Sequence, residues 1–110
     1  MSRVVDRREA VFSEGERQAA IVEALARFGR VAFRIQSGKV KVRGGWMQLA
    51  PNGTPDLYVL GWGWLECKAE KGKLSPEQVA MHARIRAAGE RVVVVREPAD
   101  ALRAVVGGGR

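Results

Sequence analysis

The spacing of apolar residues switches along the chain between the helical and the strand period. The first eleven residues are charged and irregular and read as a loose arm. Next, SEGERQAAIVEALARFG places Ala20, Ile21, Ala24, Leu25 and Phe28 on one stripe of an α-helix. Ser13 stands at its cap, Glu16 three residues on, and Gly29 at its end. VAFRI reads as a first strand. In SGKVKVRGGW, Lys39, Lys41 and Arg43 alternate with Val40 and Val42, giving a strand or ribbon with one basic and one apolar face. The turn residues APNGTP lead into DLYVLG and WLECKA, two strands of a hairpin bent at GWG. After the loop EKGK, SPEQVAMHARIRAAG is a second helix, with Ser75 as cap, Pro76 at the first position and Gly89 as stop. RVVVVRE is a continuous apolar strand of the kind covered on both faces. PADALRAVV is a short last helix, and residues 107–110 form a frayed tail.

The order α-β-β-β-β-α-β-α predicts an α/β fold, with a mixed central β-sheet flanked by helices. Its strand–helix–strand segment predicts a right-handed crossover. A chain of 110 residues without repeat or linker is expected to form a single domain over 1–110.

Composition narrows the function. Hydrophobic residues make up 46%, enough for a packed core. No apolar run nears the ~20 residues that span a bilayer, and the N-terminus lacks a signal-peptide core, so no membrane and a cytoplasmic location are expected. Cys67 is the single cysteine, which excludes an internal disulfide, and it reads as a small packed side chain. His82 is the single histidine, which argues against most histidine-based metal or triad chemistry; on its helix it reads as a surface residue. A net charge of +7, from 19 basic and 12 acidic residues, fits a polyanionic partner, nucleic acid first, or a merely solvated surface.

One stretch carries chemistry. Glu66 and Lys68 lie two apart on a strand and so share a face with Trp64, while Leu65, Cys67 and Ala69 point the other way. Pairing of DLYVL with WLECK brings Asp56 near Glu66. Two carboxylates brought together repel, and a hard divalent cation offsets that repulsion. With Lys68 beside it and a basic chain around it, such a site points to phosphodiester hydrolysis.

Pro55–Asp56 followed by Glu66–Cys67–Lys68 resembles the PD-(D/E)XK nuclease signature. More narrowly, GTPDL, LECKAEKGKLSPEQ and GERVVVVR are similar to the VRR-NUC family of that superfamily, over about Glu14 to Arg103. The resemblance implies a restriction-endonuclease-like core and a stand-alone bacterial or phage protein that acts as a Holliday junction resolvase. It implies Mg²⁺ or Mn²⁺ held by Asp56, Glu66 and the backbone carbonyl of Cys67, with Lys68 catalytic. It implies Glu16 as a first-helix acid reaching the metal directly or through water, and Gln78 at the edge of the site. The implied partners are branched or four-way DNA and a second copy of the chain, since a two-fold dimer offers two symmetric cuts.

Several residues have a second reading. Ser13–Glu16 and Ser75–Gln78 are both capping-box patterns, so Glu16 and Gln78 can close helices as well as serve a site. Trp62 and Trp64 read as core or interface residues more readily than as base-stacking ones. Lys39, Lys41 and Arg43 are a solvated face or, in a nuclease, a track for DNA phosphates, with Lys71 and Lys73 flanking the site. Alternatives to junction resolution are cleavage of flaps, splayed arms or duplex, or an inactive nucleic-acid-binding module.

Overall fold

Each helix begins where its cap residue can satisfy the free amides of the first turn. Helix α1 (Glu14–Ala26) starts at Ser13, whose hydroxyl accepts from the Glu16 amide while the Glu16 carboxylate accepts from the Ser13 amide. Helix α2 (Pro76–Ala87) repeats the device with Ser75 and Gln78. The structure is a computed structural model that describes residues 13–107; the predicted arm, and the tail beyond Gly107, lie outside the described residues.

Between the helices run six strands, β1 (Ala32–Arg34), β2 (Lys39–Val42), β3 (Gly45–Gln48), β4 (Leu57–Val59), β5 (Gly63–Cys67) and β6 (Val92–Val95), and the chain closes with α3 (Pro98–Leu102) and a π-helical turn, Arg103–Gly107. This is one strand more than the apolar pattern predicts. The basic ribbon is a separate two-stranded antiparallel sheet of β2 and β3, reversed at Arg43–Gly44, where Gly44 adopts a φ of 88°. The main sheet has the order β1-β4-β5-β6. Its first two pairings are antiparallel and the last, across α2, is parallel, so the sheet is mixed as predicted.

Strand parity divides the sheet into two faces. Leu57, Val59, Leu65, Cys67 and Val95 pack with Ile21 and Leu25 of α1, Ala101 of α3 and Val105 into the main core. The other face carries Tyr58, Trp64 and Glu66 and receives His82 of α2. The stripe of α1 runs through Gln18, Ile21 and Leu25. Phe28, predicted to extend it, is exposed because α1 ends at Ala26 and Phe28 falls in the turn beyond. In β6, Val92 and Val95 are buried, but Val93 and Val94 are only partly covered, since this strand forms the sheet edge.

Two junctions fix the ribbon and the hairpin against the rest. The Ile35 amide donates to the Asp56 carbonyl at 2.8 Å, so the chain leaves for the ribbon and returns from it at the same level of the sheet. Gly53, with a φ of 89°, lies against the start of α2; a Cβ there would stand 2.4 Å from the Glu77 carbonyl oxygen. Gly53→Ala therefore combines left-handed strain with a backbone clash. It is expected to cost about 1–3 kcal/mol or more in chemical denaturation, with the ribbon's return leg displaced from α2.

Candidate functional site

The register of the central hairpin builds the site. Leu57 pairs with Leu65, so Asp56 and Glu66, one step further along, fall opposite each other at the end of β4 and β5. The Cys67 amide donates to Asp56 Oδ2 at 2.8 Å, which locks the aspartate onto the neighbouring strand. Glu66 is 1% exposed, a carboxyl inside the protein. Its environment decides its protonation. Burial first, then the hydrogen-bonded Asp56 carboxyl and its charge, push Glu66 up to about 9, partly opposed by the Lys68 ammonium.

Two side chains of α2 reach the same carboxyl. Gln78 and His82 are four apart and so share a helix face. His82 Nε2 lies 2.8 Å from Glu66 Oε1, and Gln78 Nε2 donates at 3.4 Å to Glu66 Oε2. Gln78 thus does two things at once, since its Oε1 also accepts from the Ser75 amide. His82 corrects the sequence reading: it is 2% exposed rather than a surface residue. Gln78, His82 and Ile85 follow the i, i+4, i+7 spacing of a buried stripe, and a hydrogen-bond partner makes a buried imidazole tolerable. Burial and the Arg86 charge hold His82 below its ordinary value. With Glu66 raised and His82 lowered, their contact is a hydrogen bond between neutral groups despite its ion-pair distance.

The first helix supplies a different acid from the one expected. Glu16 is exposed, and its carboxylate, held below the usual range by the Ser13 amide and hydroxyl, closes the capping box. Glu14 lies on the stripe of Gln18 and Ile21, accepts from Gln18 Nε2 at 3.3 Å, and adds its charge to those raising Glu66 and Cys67. The position four before buried Gln18 was the signal for Glu14; the family resemblance pointed instead to Glu16.

The remaining candidates sort by surroundings. Lys68 follows β5, half-buried, with its amide donating to the Val95 carbonyl and its charge acting on both Glu66 and His82. Cys67 is buried, and its thiol is pushed up to about 12 by burial and the nearby carboxyls, so it packs and does not react. Lys71 and Lys73 are exposed on a loop that Arg96 pins by donating to the Ala69, Glu70 and Gly72 carbonyls. Trp64 Nε1 donates to Glu90 at 2.8 Å and its ring meets Tyr58 edge-on. Trp62 packs on the core under the Arg91 guanidinium. Lys39, Lys41 and Arg43 lie on the exposed ribbon, away from this cluster in the sheet.

Asp56 and Glu66 fit a small hard cation. They offer carboxylate oxygens side by side, and the burial and Asp56 charge that raise Glu66 are a cost that an added cation would offset. Among the described residues no group of three or more His, Cys, Asp or Glu side chains is arranged to hold a metal ion, so further ligands would be backbone carbonyl, water or substrate oxygen.

A mixed sheet between helices, with two carboxyls and a lysine converging at the ends of its central strands, is the layout of the PD-(D/E)XK class. A solved structure described as "VRR_NUC domain" superposes with a TM-score of 0.59 over 84% of this chain and 92% of that one, at 26% identity. No family model and no curated protein sequence matches the chain. The shared fold, with the PD…ECK residues in place, supports membership of the VRR-NUC family. No helix among the described residues is long and apolar enough to cross a membrane.

Two outcomes follow for the metal-free protein. His82→Ala removes the partner of Glu66 Oε1 inside the protein and is expected to cost about 1–3 kcal/mol in denaturant melts, with His82→Gln losing less. Because Glu66 binds its proton more tightly folded than unfolded, stability falls as pH rises between its ordinary 4.5 and about 9. His82, shifted the other way, destabilises the fold as pH drops below 6.5 and masks the lower part of that range. From pH 6.5 to 9, melting temperature in EDTA should therefore decline, and Glu66→Gln should flatten the decline.

Proposed function

We propose that this protein is a metal-dependent DNA endonuclease that hydrolyses phosphodiester bonds. The observation that carries the reading is the convergence of Asp56 and buried Glu66 within reach of the Lys68 charge. The residues that would hold Mg²⁺ or Mn²⁺ are Asp56, Glu66 and the backbone carbonyl of Cys67. When bound, the ion supplies a polarised phosphate oxygen and a more acidic water. Lys68, on the same strand face, contacts a phosphate oxygen or the attacking water and offsets developing negative charge. Glu14 takes the place expected for Glu16, adding negative charge beside the pair. Gln78 and His82 orient the Glu66 carboxylate once it is ionised, with His82 Nε2–H donating to it. Lys71 and Lys73 hold flanking phosphates from their pinned loop, and Lys39, Lys41 and Arg43 do so from the ribbon, so sequence preference is low.

The substrate proposed is branched DNA, with a homodimer cutting a four-way junction by symmetric incisions. The likeness to the VRR-NUC family supports this, with the PD…ECK pattern. A panel of four-way junction, flap, splayed arm, duplex and single strand, incubated with Mg²⁺, Mn²⁺ or EDTA, tests it. Cleavage is expected with either metal, fastest on the junction, and none in EDTA. Lys68→Ala should bind the same DNA but cut it at least about 10²-fold more slowly. Binding without cleavage of any substrate would make the chain an inactive binding module, equal rates on all substrates would remove the junction preference, and a monomer by light scattering would remove the symmetric cut. Glu14→Ala should slow cleavage at limiting Mg²⁺, while Glu16→Ala should not. Mg²⁺ should raise the melting temperature of the parent protein and leave that of Asp56→Asn unchanged.

A further inference from the structure

The β2–β3 ribbon is built unlike the rest of the molecule. All eight residues of its strands are exposed, and neither face meets the main sheet. Cross-strand pairing sets Lys41 opposite Trp46 and Lys39 opposite Gln48 on one face, and Val40 opposite Met47 on the other. Trp46 is 67% exposed, more than any other large apolar side chain described. An isolated two-stranded ribbon has no core of its own and is at best marginally stable in water. An indole held open at such a place marks a surface that is completed by a partner.

Charge decides which partner. From Gln36 to Pro55 the sequence contains Lys39, Lys41 and Arg43 and no acidic residue. No described residue forms an ion pair with these three. Two copies meeting through this element would oppose like charges, whereas a nucleic acid strand supplies phosphates at the lysine spacing and bases for the indole. Position relates the ribbon to the proposed chemistry. Its legs are tied together by the Gly38 amide to the Ala50 carbonyl, the Ala50 amide to the Gln36 carbonyl, and the Leu49 amide and Gln48 Nε2 to the Gly38 carbonyl. The ladder ends at Ile35 and Asp56, so the ribbon rises directly from a proposed metal ligand. The six steps from Ile35 to Lys41, opposite Trp46, span at most about 20 Å, which keeps Trp46 within a few nucleotides of the site.

We propose that the ribbon is the element that recognises unstacked bases, at a branch point or in a single strand, with Trp46 stacking on the open base face while Lys39, Lys41 and Arg43 hold the adjoining phosphates. This rests on the nuclease reading for its partner and extends it: selectivity for branched over duplex substrates comes from the ribbon and not from the carboxylate cluster. A base inside a duplex has both faces covered and offers the indole nothing.

The test is binding of labelled DNA by the full chain in EDTA, followed by anisotropy. The probes are a mixed-sequence single strand, its blunt duplex, and a splayed-arm duplex with unpaired ends. Trp46→Ala is expected to weaken single-strand and splayed-arm binding about tenfold, equivalent to about 1.4 kcal/mol of stacking, and to leave duplex affinity within about twofold. Trp46→Phe should recover most of the loss, and single-strand binding should quench the tryptophan fluorescence of the parent more than that of Trp46→Ala. The proposal is overturned if Trp46→Ala binds the single strand as the parent does. It is equally overturned if duplex binding falls in parallel, which would mean that the ribbon lies in a groove. A dimer that dissociates in Trp46→Ala would give the surface to a second copy instead. Failure of the parent to cut any substrate, with the Trp46 effect intact, would refute the nuclease reading and leave this one standing.

Discussion

Glu66 is a carboxyl group placed inside a protein, and much of the structure around it follows from the cost of putting it there. An ionised carboxylate with no access to water is stable only beside a positive charge or a set of donors. The protein surrounds Glu66 with Asp56 across the hairpin, Gln78 and His82 from α2, and the Lys68 charge further along the chain. Without a cation, burial and the Asp56 carboxyl favour the protonated acid against the Lys68 charge. With one, the same oxygens would become ligands, and the donors on α2 would fix their direction.

This constraint explains the division of labour between the two faces of the sheet. One face is dry, closed by Ile21, Leu25, Ala101 and Val105 over Leu57, Val59, Leu65 and Cys67. It holds the hairpin register rigid, and the register sets Asp56 opposite Glu66. The other face is only partly covered, so α2 can deliver a glutamine and a histidine to the carboxyl while Lys68 keeps contact with solvent. The ribbon leaves the sheet at Asp56 and carries three basic residues and Trp46 outward. Under the proposed function, binding and bond cleavage would occupy adjoining but separate elements.

Much of this was legible from local pattern. The alternation in DLYVL and WLECK is strict, and a strand has only two faces, so parity alone paired Asp56 with Glu66 and sent Leu65 and Cys67 to the core. The capping boxes at Ser13 and Ser75 were legible for the same reason, since they depend on four consecutive residues. Helix phase was harder. Near the start of α1, Glu14 and Glu16 are both acidic and both exposed, and only the position of Gln18 and Ile21 shows which lies on the side of Glu66. His82 was misread because a lone histidine on a mixed helix has no local mark of burial. What makes it tolerable is a carboxyl sixteen residues earlier in the chain. The second strand of the ribbon, Gly45–Gln48, was missed because four residues that begin on the second of two glycines hold too little alternation to declare a strand.

The sequence by itself determined the order of helices and most strands, the hairpin that carries Asp56 and Glu66, the caps, and the basic character of the segment that became the ribbon. These rest on interactions between residues close in the chain or on a period of two, which tolerates no ambiguity of face. Only the tertiary structure decided that the ribbon stands apart from the main sheet, that Glu14 and not Glu16 turns toward the site, and that Gln78 and His82 both meet Glu66. Those outcomes depend on how α1 and α2 rotate and dock against a sheet formed by distant segments. That docking is set by the packing of the whole core, which no local stretch of sequence contains.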